Sequence, residues 1–246
     1  MFGASVIAVG AAVAVACGSF EGTDDAGESD AGADGANAEA GANGDAGADA
    51  RCQVIVDDSF DDGGLATWSL LGKARYDDGG VELVPDESGS AGAIWMNVPD
   101  PKNGVLHAKF SSTILPTNGD DGLTFAWTSN RDITLGGTAT NYGVCGGSSN
   151  ASGLAVAIVG NGDQIRLLDL TKDCAFDGGI DENPFGTNDV EIFARDSEVE
   201  VIFADRRHVF ASPGPVRARA IGFTAATGGG HARHAIDSVF VEVCSN

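Results

Sequence analysis

From residue 52 onward, short apolar runs alternate with clusters of Gly, Asp and Asn. The runs fall at 52–56, 81–84, 93–98, 106–114, 123–128, 154–159, 165–170, 190–193, 199–203, 217–224 and 238–243. Several repeat with a period of two, as in Val199-Glu200-Val201-Ile202-Phe203 and Val239-Phe240-Val241-Glu242-Val243. That period sends alternate side chains to opposite faces of an extended chain, so these runs predict half-buried strands. Gly160-Asn161-Gly162-Asp163 separates two of them and predicts a hairpin turn, because Asn and Gly accept positive φ. No stretch of twelve residues carries a helical stripe. Many short strands with turns between them predict an all-β protein, an antiparallel sandwich or barrel.

The N-terminal fifty residues have a different texture. Residues 6–16 form an apolar run of Val, Ile, Ala and Gly. It is shorter than the roughly 20 residues a bilayer span needs and has the length of a signal-peptide core. The run ends in Ala14-Val15-Ala16-Cys17-Gly18, which resembles a bacterial lipobox, although Ala14 stands where Leu is commoner. Residues 1–17 are therefore expected to be a lipoprotein signal ending at a lipidated Cys17; a plain secretory signal is the alternative. Residues 18–50 are mostly Ala, Gly, Asp and Glu, with Phe20 the only large apolar residue. Such a segment buries too little apolar surface to offset its ordering entropy, and is expected to be a disordered acidic tether. The folded domain is expected over 51–246.

Charge narrows the classes of partner. The chain has 14 Lys and Arg against 36 Asp and Glu, a net charge of −22. This balance opposes binding to nucleic acid, whose affinity comes from neutralising phosphates. It equally opposes electrostatic docking on anionic lipid, so membrane contact is expected through the N-terminal lipid only. The expected location is a bacterial membrane surface after export; the oligomeric state is left open.

Apart from Cys17, the cysteines are Cys52, Cys145, Cys174 and Cys244, an even number in a chain expected to be exported. Disulfides are then the default, with three pairings to choose from. In a jelly roll the terminal strands lie side by side, which favours Cys52–Cys244 and leaves Cys145–Cys174. No C-x-x-C or paired His spacing suggests zinc.

Three segments resemble the L-type, or legume-type, lectins of the concanavalin A-like superfamily. The strongest is Ala220-Ile221-Gly222-Phe223-Thr224-Ala225-Ala226-Thr227-Gly228, followed by Gly229-Gly230-His231 and Ile236-Asp237-Ser238-Val239-Phe240. The second is Asp120-Asp121-Gly122-Leu123-Thr124-Phe125-Ala126, and the third runs from Gly143 through Gly146-Gly147 to Ile158. They occur in the family's order. Phe60, Trp68, Leu83 and Ala91-Gly92-Ala93-Ile94-Trp95 add a less specific likeness. The resemblance implies a concanavalin A-like jelly-roll sandwich and a glycan or polysaccharide as ligand. It maps Asp121 onto the sugar-binding aspartate, Gly146 or Gly147 onto a backbone donor, and Gly229, Gly230 and His231 onto the loop that sets specificity.

Chemistry supports part of this mapping. Asp121 lies where a loop enters a strand, and a carboxylate there can accept two hydrogen bonds from neighbouring sugar hydroxyls. A turn aspartate without a ligand is the plainer reading. Trp127 and Tyr142 are candidates for an aromatic stacking platform, with burial in the core as the alternative. The family's metal-binding acids fall at Ala157 and Val159, so neither a cofactor nor a metal is expected. Asn161, Asp163, Asp169 and Asp173 remain as a calcium-site alternative. Related glucanases carry acids at alternate positions of one strand, to hold a nucleophile and an acid about 5.5 Å apart. Glu198 and Glu200 share a face but lack the third acid, and read as the solvated side of an outer strand. No nucleophile elbow, zinc helix or phosphate loop occurs, and the cluster Arg206-Arg207-His208 reads as a hairpin turn. The leading expectation is a non-catalytic carbohydrate-binding surface protein. The alternatives are an adhesive protein with a lectin fold and no sugar site, or a divergent glycosidase.

Overall fold

The computed structural model describes residues 51–245 apart from 62–66, 78, 100–103, 117–121, 161 and 163. Cys17 and the segments 1–17 and 18–50 lie outside the described residues, as does Asp121. The described chain is built of antiparallel strands and two single-turn 3-10 helices, Ala139–Asn141 and Leu170–Lys172.

Two sheets make a jelly-roll sandwich; the hydrophobic pattern predicts a sandwich or barrel, and the family resemblance implies the jelly roll. The seven-stranded sheet has the order β10 (Ala175–Asp181), β9 (Gln164–Asp169), β8 (Gly153–Val159), β7 (Gly122–Thr128), β14 (Ala220–Ala226), β5 (Ala91–Asn97) and β2 (Ser69–Gly72). The eight-stranded sheet has the order β13 (Arg206–Ala211), β12 (Glu198–Phe203), β11 (Gly186–Ala194), β6 (Gly104–Pro116), β15 (Ala232–Ser245), β4 (Gly80–Val84) and β3 (Arg75–Asp77). β1 (Arg51–Asp58) adds to it by pairing with β15.

The core is filled by the inward residues of both sheets. Phe110 of β6 meets Phe223 of β14 edge-on at 4.9 Å, and Phe125 of β7 lies 5.1 Å from the same ring. Trp68 packs against Phe60 and Phe223, and its indole N–H donates to Asp58 at 3.1 Å. Asp58 thus satisfies the one polar atom that burying this Trp would otherwise strand. Trp127 belongs to the same core at 1% exposure. It is a packing residue and gives no platform for a ligand.

Both expected disulfides are formed, Cys52–Cys244 and Cys145–Cys174. The first joins directly opposed residues of β1 and β15. Two sequence readings are corrected. Arg206-Arg207-His208 opens β13, and the turn before it uses Ala204 and Asp205 at positive φ. Glu200 lies on the outer face of its sheet but is not solvated: its side chain is mostly covered, and Arg195 and Arg207 both pair with it. The hydrogen bond from Arg207 holds its carboxyl below the usual carboxylate range.

Candidate functional site

The outer face of the seven-stranded sheet carries a second apolar layer. Its strands contribute Ala93, Trp95, Ala126, Ala155, Ala157, Val159, Leu168 and Ala220. Most are alanines, because a third layer lies on them: the 129–152 connection between β7 and β8, which brings in Tyr142, Val144 and Cys145. Small side chains let that backbone approach closely. Gly222 shows the same constraint from below, since a Cβ there would strike the Trp95 ring.

Strand register defines one end of this sheet. Gly122 opens β7 beside Ala226, which closes β14, and beside Val159, which closes β8. Ala91, opening β5, faces Ala226 from the other side. The connections before β7 and β5 and after β14 and β8 all leave from this end. The 129–152 connection starts at the opposite end, after Thr128, but folds back over the sheet to reach it. Ala139 donates to the Thr227 carbonyl at 3.2 Å, and Thr224 Oγ1 donates to the Tyr142 carbonyl at 2.6 Å.

The candidate residues divide: Gly229, Gly230 and His231 stand at this end, whereas Gly146 and Gly147 line a small cleft with Leu170, Asp173 and Cys174, which follow β9 where Asp169 pairs with Leu154, at the opposite end. Gly146 and Gly147 have φ of 57° and 59° and follow Cys145 directly. Added Cβ atoms would crowd the Asn141 side chain at Gly146 and the backbone of Gly137 at Gly147. Both therefore need glycine for conformation and for space. Gly143 N donates to Gly137 O, and Gly137 N to Cys145 O, which closes the loop on itself. Gly229 is exposed and Gly230 half-buried in the β14–β15 connection. His231 Nδ1 lies 2.8 Å from Asp86 Oδ1, tying that connection to the one before β5. The latter is held further by Thr227, whose hydroxyl donates to the Glu87 carbonyl at 2.6 Å, and by Lys73, which pairs with Glu87 at 2.9 Å. Gly229, Gly230 and His231 thus share one end with the strand position after Asp121, together with residues 139–143 of the loop, while Gly146 and Gly147 lie away from it; Asp121 itself lies outside the described residues.

Other sequence candidates stand elsewhere. Tyr142 is only 3% exposed and lies under the loop instead of offering a ring to solvent. Ala157 and Val159 are buried and apolar, so the positions mapped to metal acids do not fit a metal ion. Asp169 accepts from the backbone of Thr171 and pairs with Lys172, the work of a helix cap. Asn161 and Asp163 are outside the described residues. Among the described residues, the only cluster with metal-ligand spacing is Cys52, Cys244 and Glu242, where both sulfurs are already joined in a disulfide.

What sequence reasoning missed is the partner set of the glycine loop. Arg166 of β9 donates to Tyr142 Oη at 3.2 Å and to Gln164 Oε1 at 2.9 Å, with its guanidinium 4.5 Å above the Phe176 ring. An arginine at an outward position of a strand gives no local sign of such a role.

No protein-family profile matches this chain, and no curated protein matches it. Solved structures do. The VIP36 exoplasmic/lumenal domain in its Ca2+/Man3GlcNAc-bound form is 17% identical, with a TM-score of 0.61, covering 72% of this chain and 84% of its own. Basic winged bean lectin with Tn-antigen is 16% identical, with a TM-score of 0.63, covering 78% and 98%. Arcelin-5, a lectin-like defense protein from Phaseolus vulgaris, is 16% identical, with a TM-score of 0.57, covering 73% and 93%. The fold is therefore that of the L-type lectins.

Proposed function

We propose that this protein is a non-catalytic carbohydrate-binding module displayed at a bacterial membrane surface, tethered by residues 18–50 to a lipidated Cys17. The observation that carries the binding reading is convergence. Residues 139–143 of the glycine loop, the β14–β15 connection and the start of β7 meet at one end of a rigid sheet. Solved proteins of the same fold hold Man3GlcNAc and Tn-antigen. Backbone amides beside glycines supply donors at close range, and the His231–Asp86 pair supplies a polar rim. Asp121, one residue before β7, is the proposed acceptor for a pair of sugar hydroxyls.

The test is a glycan array probed with the full chain, followed by titration calorimetry on any hit. Asp121→Ala is expected to weaken binding by about 1.5–3 kcal/mol, roughly tenfold or more. Wild-type affinity in that variant would overturn the role given to Asp121. A second reading, an adhesive lectin-fold protein without a sugar site, is favoured by the apolar Ala157 and Val159. It expects a blank array with and without calcium. We propose no catalysis: the best-placed acid pair, Glu198 and Glu200, is ion-paired with arginines on the other sheet.

A further inference from the structure

We infer that the glycine loop is held in place by a clasp of protein groups instead of a metal ion, with Tyr142 and Arg166 as its positioning residues. The carbohydrate-binding reading enters only in saying what the clasp serves.

The mapped metal positions are the starting point. Ala157 and Val159 bring no donor atom, and both are sealed within the outer apolar layer. In register with Ala157 stand Thr124 on β7 and Arg166 on β9. Thr124 is occupied: its hydroxyl lies 2.7 Å from that of Thr224. Arg166 is a fixed cation, which repels a second cation placed beside it. The surroundings that would have to welcome a metal ion instead offer methyl groups, a satisfied hydroxyl pair and a guanidinium.

Tyr142 fills the role of a hub. Its carbonyl accepts from Thr224 on β14, its hydroxyl accepts from Arg166 on β9, and its ring lies against Gly122 at the start of β7. It reaches all three strands from a left-handed backbone, φ 52°, which a bulky residue adopts only when its surroundings enforce it. Three residues later the Cys145–Cys174 disulfide fastens the loop to the chain leaving β9. These two anchors bracket Gly143 and directly precede Gly146 and Gly147. A loop fixed in this way keeps its backbone donors oriented before a ligand arrives, which lowers the ordering cost of binding.

The experiment uses the full, disulfide-bonded chain and needs no known glycan. Melting is compared in millimolar calcium and in EDTA, and calorimetry is run with calcium alone. The expected result is the same melting temperature in both and no heat of binding. A rise of several degrees in calcium, or a calcium isotherm, would overturn the inference; it would point to ligands at Asp121, Asn161 or Asp163. Amide hydrogen exchange then compares wild type with Tyr142→Phe, which keeps the ring and loses only the hydroxyl, and with Arg166→Met. The Gly137, Gly143 and Cys145 amides are expected to exchange at least tenfold faster in both variants. The amides of β7 and β14 should stay protected, and Arg166→Lys should recover part of the loop's protection. Unchanged loop protection in both variants would show that Arg166 and Tyr142 position nothing. The two readings fail separately. A blank glycan array with the clasp behaving as expected removes the carbohydrate reading alone. Glycan binding that requires calcium removes the clasp alone.

Discussion

His234 is the residue whose environment departs furthest from its chemistry. It is fully buried, and neither ring nitrogen has a hydrogen-bond partner among the described residues. Its register neighbours are Val84 on β4 and Ile114 on β6, both apolar. Burial pushes its pKa down from 6.5 to about 4, so the folded protein holds it neutral. The unfolded chain takes up the proton first as pH falls. Stability linked to this group is therefore whole above about pH 6.5 and is lost between there and about pH 4, by roughly 3 kcal/mol in all. His234→Leu removes the titration. Urea unfolding at pH 7 and pH 4.5 should show wild type losing about 2–3 kcal/mol more than the variant; equal losses would show that the imidazole is solvated or paired. Gly222 gives a second check at this scale. Gly222→Ala forces a methyl group into the Trp95 ring and close to the Ile94 carbonyl, and is expected to cost about 1–3 kcal/mol in the same measurement. A neutral outcome would mean that Trp95 has room to shift. Neither constraint was legible beforehand, since a histidine or glycine in a strand says nothing about what lies above it. Trp127 and Tyr142 illustrate the same limit: their aromaticity was plain, but the side of the sheet and the layer covering them come only from tertiary packing.

At the scale of elements, the strands read from apolar periodicity are those that bury a face. The four that escaped it, β2, β3, β10 and β13, are the four ends of the two sheet paths. An end strand pairs on one side only and is often polar, to discourage pairing with another chain. β13 opens Arg206-Arg207-His208, and β10 carries Gly178 and Gly179 at a register shift, so neither shows the alternation that betrays a buried strand. The first disulfide was legible because terminal strands of a jelly roll are neighbours, and the structure opposes Cys52 and Cys244 residue for residue. Among the described residues β1 pairs with β15 alone, and the cross-link closes nearly the whole domain. Cys52→Ser with Cys244→Ser should cost about 3–5 kcal/mol in denaturant unfolding while the strand signal in circular dichroism persists. A loss below about 1 kcal/mol would mean that strand pairing alone fixes β1.

At the scale of the whole molecule, the fold was legible from three motifs in order, and the comparisons agree at the level of fold. The site was legible only in outline. The resemblance pointed to the loop that folds over the sheet, yet it said nothing of the layer that Tyr142, Arg166 and the second disulfide build there, and Gly146 and Gly147 stand apart from Gly229, Gly230 and His231. The mode of display is a separate matter, resting on the sequence outside the described residues. An apolar run that stops at Ala16, a cysteine next, and then thirty-odd small and acidic residues make a coherent device. In the reading proposed above, a lipid on Cys17 is the anchor and residues 18–50 are the spacer between it and the domain. Two acyl signals are needed for stable anchoring, which a diacylated or triacylated cysteine supplies and a single chain does not. Cys17→Ser should therefore move the protein from the membrane pellet to the soluble fraction with its fold intact. Mass spectrometry of the wild-type mature N-terminus should find the acyl chains on Cys17. An unmodified mature peptide beginning anywhere else would remove the anchor from this account while leaving the lectin-fold domain and its candidate site unaffected.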